Sequence, residues 1–256
     1  MNSAITLTFG DRAENHVGNQ ILGTMAPEGL THADLLHAQT VFESKCIDTE
    51  IFNLREEAGL TLDEAEDAYF LMAHKGITAL LPPDSTMSDI WDEQSKLDWD
   101  KKVWMRGRVV NKKARHNLCY SDDAQEPDYE NKKGRVIPFD SLPLTKSIRT
   151  QLPDYFGPKV ENLQGEGNYY YDLAKTGVGA HGDVERKIVI AVRLGSDFPL
   201  YYQWYRNSEK IGPLLEMVLE GGDVYAMSAK AVGTDWKKKK VATLRHAAGS
   251  KIYTKL

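Results

Sequence analysis

The stretch Gly165–Arg186, GEGNYYYDLAKTGVGAHGDVER, decides how the rest of the chain is read, and its centre is His181-Gly182-Asp183. On an extended segment, a histidine and an aspartate two positions apart point to the same face, because side chains alternate with period two. Such a pair could grip one metal ion. A second imidazole from elsewhere would complete a set of two histidines and one carboxylate that leaves coordination positions open for other ligands. Of the seven histidines, those at 16, 32, 37, 74 and 116 precede this stretch. Only His246 follows Asp183, 65 residues after His181 (246 − 181), at the end of the apolar run Val241-Ala-Thr-Leu-Arg-His246. The expected triad is therefore His181, Asp183 and His246. Lys255 comes nine residues later (255 − 246), a cation able to pair with a carboxylate beside the metal.

The order HxD, distal histidine, then a lysine or arginine about one strand later resembles the Fe(II)- and 2-oxoglutarate-dependent dioxygenases, which share a double-stranded β-helix, or jelly roll. The surroundings are most similar to the AlkB group. Asn168 and Tyr171 precede the metal histidine much as that group's N-x-Y does, and Glu185 completes an HxDxE. Gly222-Asp223-Val-Tyr-Ala-Met227-Ser228 resembles its GD…MS strand. The likeness covers roughly Val103 to Leu256. It implies that His181, Asp183 and His246 hold Fe(II), and that 2-oxoglutarate and O2 take the open positions. It also implies that Lys255 anchors the 2-oxoglutarate carboxylate, with Tyr171 and Asn168 assisting. The implied outcome is hydroxylation, or demethylation where the hydroxylated carbon sits on nitrogen, with release of succinate and CO2; alkylated nucleic acid is the substrate that the AlkB likeness suggests. Two departures keep the substrate open. Trp236-Lys237-Lys238 has no histidine where AlkB proteins carry W-x-H, and the single Lys255 is more like prolyl hydroxylases. A protein or small-molecule hydroxylase, and a non-catalytic β-helix binding module, stand as alternatives.

Composition sets the class. At 256 residues, with 41% hydrophobic and 27% charged residues, the chain has ordinary globular values and can bury a sizeable core. No apolar run approaches the roughly 18 residues of a membrane span, and MNSAITLTFG lacks the regions of a signal peptide. A soluble, intracellular protein without membrane partners is the expectation. Cys46 and Cys119 are too few and too far apart for a disulfide scaffold. The net charge of −5 gives no global attraction to nucleic acid, so such binding would have to be local.

Along the chain, the pattern predicts α+β architecture: a helical region over 1–100, and the β-helix domain over 101–256. The alternating ITLTF near the start suggests a short strand. Thr31 caps an expected helix with a stripe of Leu35, Leu36, Ala38, Val41 and Phe42. A second helix is expected over 48–57. The capping-box spelling Thr61-Leu-Asp-Glu64 predicts a third, running to Lys75. Residues 88–99 suggest a short helix, and a helix over 142–152 follows Asp140-Ser141. Strands are expected over 103–110, 117–120, 135–139, 187–194, 200–205, 224–228, 241–246 and 252–255, with an exposed loop at 121–133.

Several motifs have plainer readings. His32-Ala-Asp34 is also an HxD, but in the first turn of a helix positions i and i+2 do not face each other, and Asp34 there complements the dipole. Lys251 rivals Lys255 as anchor, and Arg186 and Arg193 are further candidates that spacing does not separate. Lys237–Lys240 reads as a solvated turn or as a phosphate-contacting loop, joined by Arg106, Arg108, Lys112, Lys113 and Arg115. Tyr201, Tyr202, Trp204 and Tyr205 read as sheet core, with base stacking as the sharper alternative.

Overall fold

Alternation of apolar and polar residues builds most of the molecule as sheet; the computed structural model describes residues 2–254. In chain order the strands are β1 (Ala4–Gly10), β2 (Arg12–Glu14), β3 (Ile21–Gly23), β4 (Thr49–Asn53), β5 (Tyr69–Ala73), β6 (Lys102–Met105), β7 (Arg108–Asn111) and β8 (His116–Ser121). They continue with β9 (Val136–Pro138), β10 (Gln164–Tyr170), β11 (Gly177–His181), β12 (Val189–Gly195), β13 (Phe198–Arg206), β14 (Glu209–Leu219), β15 (Val224–Met227) and β16 (Thr243–Gly249). The α-helices are α1 (His32–Ser44), α2 (Leu54–Glu57), α3 (Met87–Ser95), α4 (Pro143–Phe156) and α5 (Ala229–Val232). The α+β class therefore holds, with sheet dominant.

An eight-stranded sheet runs β4-β5-β15-β12-β1-β10-β8-β9, and a four-stranded sheet runs β11-β16-β13-β14. Period two on β12 shows how the layers form. Ile190, Val192 and Leu194 face the core shared with α1 and α4. Val189 and Ala191 face the core shared with the smaller sheet, among Leu200, Tyr202, Trp204 and Leu244. Helices, large sheet and small sheet thus stack as three layers. β1 is the hinge of the arrangement: it pairs antiparallel with β10 on one side, Ala4 opposite Tyr170, and with β12 on the other, Ala4 opposite Gly195. No helix among the described residues is long and apolar enough to cross a membrane.

The cap at Thr31 forms as the sequence predicts: its hydroxyl accepts from Asp34 N and Asp34 Oδ2 accepts from Thr31 N at 2.7 Å. β1 and α3 also lie where the strand near ITLTF and the short helix over 88–99 are expected, but two further helices are not formed. The helix expected over 48–57 is β4 followed by the single turn α2, and the helix expected over 61–75 gives way to β5. Thr61 N and Oγ1 do donate to Glu64 Oε2, at 2.8 and 3.0 Å, but only one turn follows. Asp63, Glu64, Glu66 and Asp67 supply no apolar stripe to bury, whereas Tyr69-Phe-Leu-Met-Ala73 is apolar on both faces and fits between β4 and β15. The division into helical residues 1–100 and β residues 101–256 is accordingly not how the elements are distributed, since β1, β4 and β5 lie in the same sheet as β8, β10 and β12.

The strand expected over 103–110 is the hairpin β6–β7, because Arg106 and Gly107 take φ of 53° and 78°. That pair of positive values makes the two-residue turn whose twist matches antiparallel strands, and glycine carries it without strain. The strand expected at 252–255 is not formed where the chain is described: residues 251–253 make a turn, and Lys255 lies outside the described residues. β14 was not foreseen.

Candidate metal centre

β11 and β16 are neighbours, and their register sets His181 directly opposite His246. Their rings approach edge to face at 4.5 Å between centroids. Asp183 sits just past the end of β11 rather than on it, its N–H donating to the Val232 carbonyl at 3.0 Å. Gly182 allows the bend. A Cβ there would fall against the Gly233 carbonyl and 2.8 Å from the Trp236 ring. The outcome is that His181 Nε2 lies 3.3 Å and His246 Nε2 3.6 Å from the same oxygen, Asp183 Oδ1. One ligand atom from each of the three residues lies within 4.8 Å of the others, so the group could hold a metal ion.

The His181 tautomer suits that role, whereas His246 Nδ1 is buried without a hydrogen-bond partner among the described residues. His181 Nδ1 lies 2.8 Å from the Gly179 carbonyl oxygen, which can only accept, so this nitrogen carries the proton. In the neutral ring Nε2 then holds a lone pair for a metal ion, and in the protonated ring it donates to Asp183. Asp183 and His246 are 8% and 5% exposed. Burial would raise the Asp183 pKa, but hydrogen bonds to both histidines and the Arg186 charge hold it well below the usual carboxylate range. Burial likewise opposes charge on His181, yet Asp183 outweighs it and raises that imidazole; burial and the His181 charge lower His246. The set is two nitrogens and one anionic oxygen, as a divalent transition metal prefers.

Around the triad, a cavity of about 420 Å³ is lined by Thr6, Asn168, Tyr170, Arg193 and Tyr225 from the large sheet, and by Leu200 and Ala248 from the small one. The sequence candidates separate here. Asn168 lines the cavity, but its amide is engaged: Oδ1 accepts from Arg115 Nε at 2.6 Å and from Asn117, and Nδ2 donates to Glu166 at 3.1 Å. Tyr171 does not join the group. It is 37% exposed, donates to the Lys113 carbonyl at 2.9 Å and stacks on His116. Tyr170, one residue earlier, faces inward instead, because it shares the parity of Asn168 on β10.

Arg186 and Arg193, equal in the sequence, are unlike in place. Arg186 lies 2.5 Å from Glu166, 2.9 Å from Glu185 and 3.7 Å from Asp183, so its charge is committed to holding these carboxylates. Arg193 is 1% exposed, donates to the Thr6 hydroxyl, and has no carboxylate within ion-pair reach among the described residues; its Nε has no partner. Burial lowers its pKa from the ordinary arginine value. Thr6 and Glu166 were not singled out from sequence; the period-two face Glu166, Asn168, Tyr170 was the available signal. Lys251 is exposed in the turn after β16. Tyr202 and Trp204 are core residues, and Tyr205 packs under Arg245 at 3.8 Å, so they offer no stacking face. His32 stacks on Tyr69 and Asp34 accepts from Lys159 at 2.8 Å, which leaves the earlier HxD as helix surface.

The chain is 44% identical over 256 residues to "Uncharacterized protein R156" of Acanthamoeba polyphaga mimivirus, spanning 100% of this chain and 99% of the relative. This chain belongs to the family of that mimivirus protein. No family model matches it. Full-length coverage on both sides means that β1 and the triad strands are compared together.

Proposed function

We propose that this chain is an Fe(II)- and 2-oxoglutarate-dependent dioxygenase on a double-stranded β-helix. One observation carries the reading: His181 Nε2 faces Asp183 Oδ1 at 3.3 Å while His181 Nδ1 is bound to the Gly179 carbonyl. A lone pair and a carboxylate oxygen repel unless a cation stands between them, and His246 Nε2 converges on the same oxygen. A proton can bridge two of these atoms, whereas a metal ion serves all three. The strand orders support the β-helix. Within the larger sheet β15, β12, β1 and β10 are four consecutive antiparallel neighbours, and β11, β16, β13 and β14 are four in the other sheet, a four-plus-four set compatible with a jelly roll. On this reading β1 occupies the position between β10 and β12.

Bound there, iron would supply O2 activation coupled to decarboxylation of 2-oxoglutarate. The chain supplies the rest. His181, Asp183 and His246 would hold the ion. Arg193, with the Thr6 hydroxyl, is the cation we assign to the far carboxylate of 2-oxoglutarate, since it is buried, has no carboxylate partner among the described residues, and lies in the wall of the same cavity. Arg186 fixes the Asp183 carboxylate from behind. The buried apolar wall of Val189, Leu200 and Met227 limits water at the reacting end. The test is succinate formation from 2-oxoglutarate with Fe(II) and ascorbate, comparing wild type with His181→Ala and Arg193→Gln. Loss of turnover in both variants supports the assignment; turnover that survives His181→Ala removes it.

A further inference from the structure

Between Lys101 and Arg115 the chain carries seven lysines and arginines and no acidic residue, although its net charge is −5. None of the seven is in an ion pair among the described residues. Four of them, Arg108, Lys112, Lys113 and Arg115, line a second cavity, of about 740 Å³, with Val103, Met105, Val109 and Val110 as apolar lining and Arg108 and Lys113 exposed. His16 and Arg115 line both this cavity and the one around the triad, so the two are adjacent.

The backbone of β7 makes the groove specific. β7 pairs with β6 and with no other strand. Lys112 N donates to the Lys101 carbonyl at 2.8 Å, which makes Lys101 and Lys112 a hydrogen-bonded pair. In an antiparallel ladder such pairs alternate with pairs whose N–H and C=O groups point outward. Counting along the register, Val103–Val110 and Met105–Arg108 bond inward, while Val109 and Asn111 aim their backbone groups at the open edge. Both residues line the cavity. An open strand edge beside a groove is what an extended peptide needs to add a strand.

We propose that this groove seats an extended acidic peptide segment along the free edge of β7, with apolar side chains against the valines and carboxylates on Arg108 and Lys113. The observations favour a peptide over a nucleic acid. The edge offers alternating donors and acceptors that only another peptide backbone matches, and apart from His16 and Tyr253 the lining carries no ring on which a base could stack. Seating of the peptide stands apart from the dioxygenase reading; delivery of one of its side chains to the neighbouring triad rests on that reading.

The experiment measures fluorescence anisotropy of an alternating Glu-Val peptide of about ten residues against the full chain, beside a Lys-Val peptide and an oligothymidylate of about ten nucleotides. The expected result is saturable binding of the acidic peptide alone. Val109→Pro removes an outward N–H and leaves the inward bonds of the hairpin intact, and should weaken binding about tenfold or more. The double variant Arg108→Glu, Lys113→Glu should do the same, and it decides the matter if Val109→Pro does not fold by circular dichroism. His181→Ala should bind the peptide as wild type does, which separates failure here from failure of the metal assignment. Absence of binding, tighter binding of the oligothymidylate, or wild-type affinity in a folded Val109→Pro chain would each overturn the proposal.

Discussion

Gly182 stands between two metal-binding candidates with the Gly233 carbonyl and the Trp236 ring pressed against the place where a Cβ would go. Gly182→Ala must therefore displace Asp183 from His181, and Co(II) affinity measured by absorbance titration should fall about tenfold or more, a loss of about 1.4 kcal/mol. Lys112 makes a second test. Burial pushes its amine down to about 8, with Asn15 Oδ1 at 2.7 Å and Asn117 Oδ1 at 3.2 Å as its partners. Between pH 8 and its ordinary value the unfolded chain binds the proton and the folded chain does not, so stability should rise with pH across that window. Denaturant unfolding of wild type should show a rise of about 3 kcal/mol, absent from Lys112→Met. At this scale the sequence was partly transparent. The triad could be picked out because histidine is scarce and only one follows Asp183. Tyr171 was the wrong tyrosine, although counting by two from Asn168 leads to Tyr170. Arg193 could not be separated from Arg186 without knowing which neighbours carry carboxylates.

Strands and helices were legible where one periodicity ruled. α1, α4, β12 and β15 have a single buried face or a continuous apolar run, and they sit close to where the pattern places them. β4 and β5 were misread because a capping-box spelling is a local device, and only an apolar stripe makes a turn grow into a helix. β14 was invisible because Leu214 and Val218 are exposed while Leu215, Met217 and Leu219 are buried, and because Pro213 reads as a break. It survives there because β14 pairs on one side only. β1 is the element on which most rests. Leu7 is 1% exposed in the core between sheet and helices, and Leu7→Ala should cost about 2–5 kcal/mol in denaturant unfolding. Thr31→Ala, which removes one half of the α1 cap, should cost only about 1 kcal/mol by the same measurement.

For the molecule as a whole, a metal ion held by His181, Asp183 and His246 would clamp together parts of the chain 65 residues apart (246 − 181). A ligand that binds only the folded state stabilises it by mass action, so Co(II) at about 100 times its Kd should add about 2.7 kcal/mol and raise Tm by several degrees. His246→Ala should abolish that gain in differential scanning fluorimetry. The three-layer plan was not legible beforehand, since pairing between residues so remote in sequence leaves no trace in local pattern. That remoteness has a consequence for how the protein is made. β1 joins partners 166 and 191 positions later (170 − 4 and 195 − 4), so a ribosome must deliver about two-thirds of the polypeptide before this strand can dock on β10 and about three-quarters before both of its edges are covered. At about 5–20 residues per second it waits on the order of ten seconds or more with both edges bare. Biogenesis of this protein should therefore lean on chaperones that hold a nascent strand, and slowing elongation should lower its soluble yield.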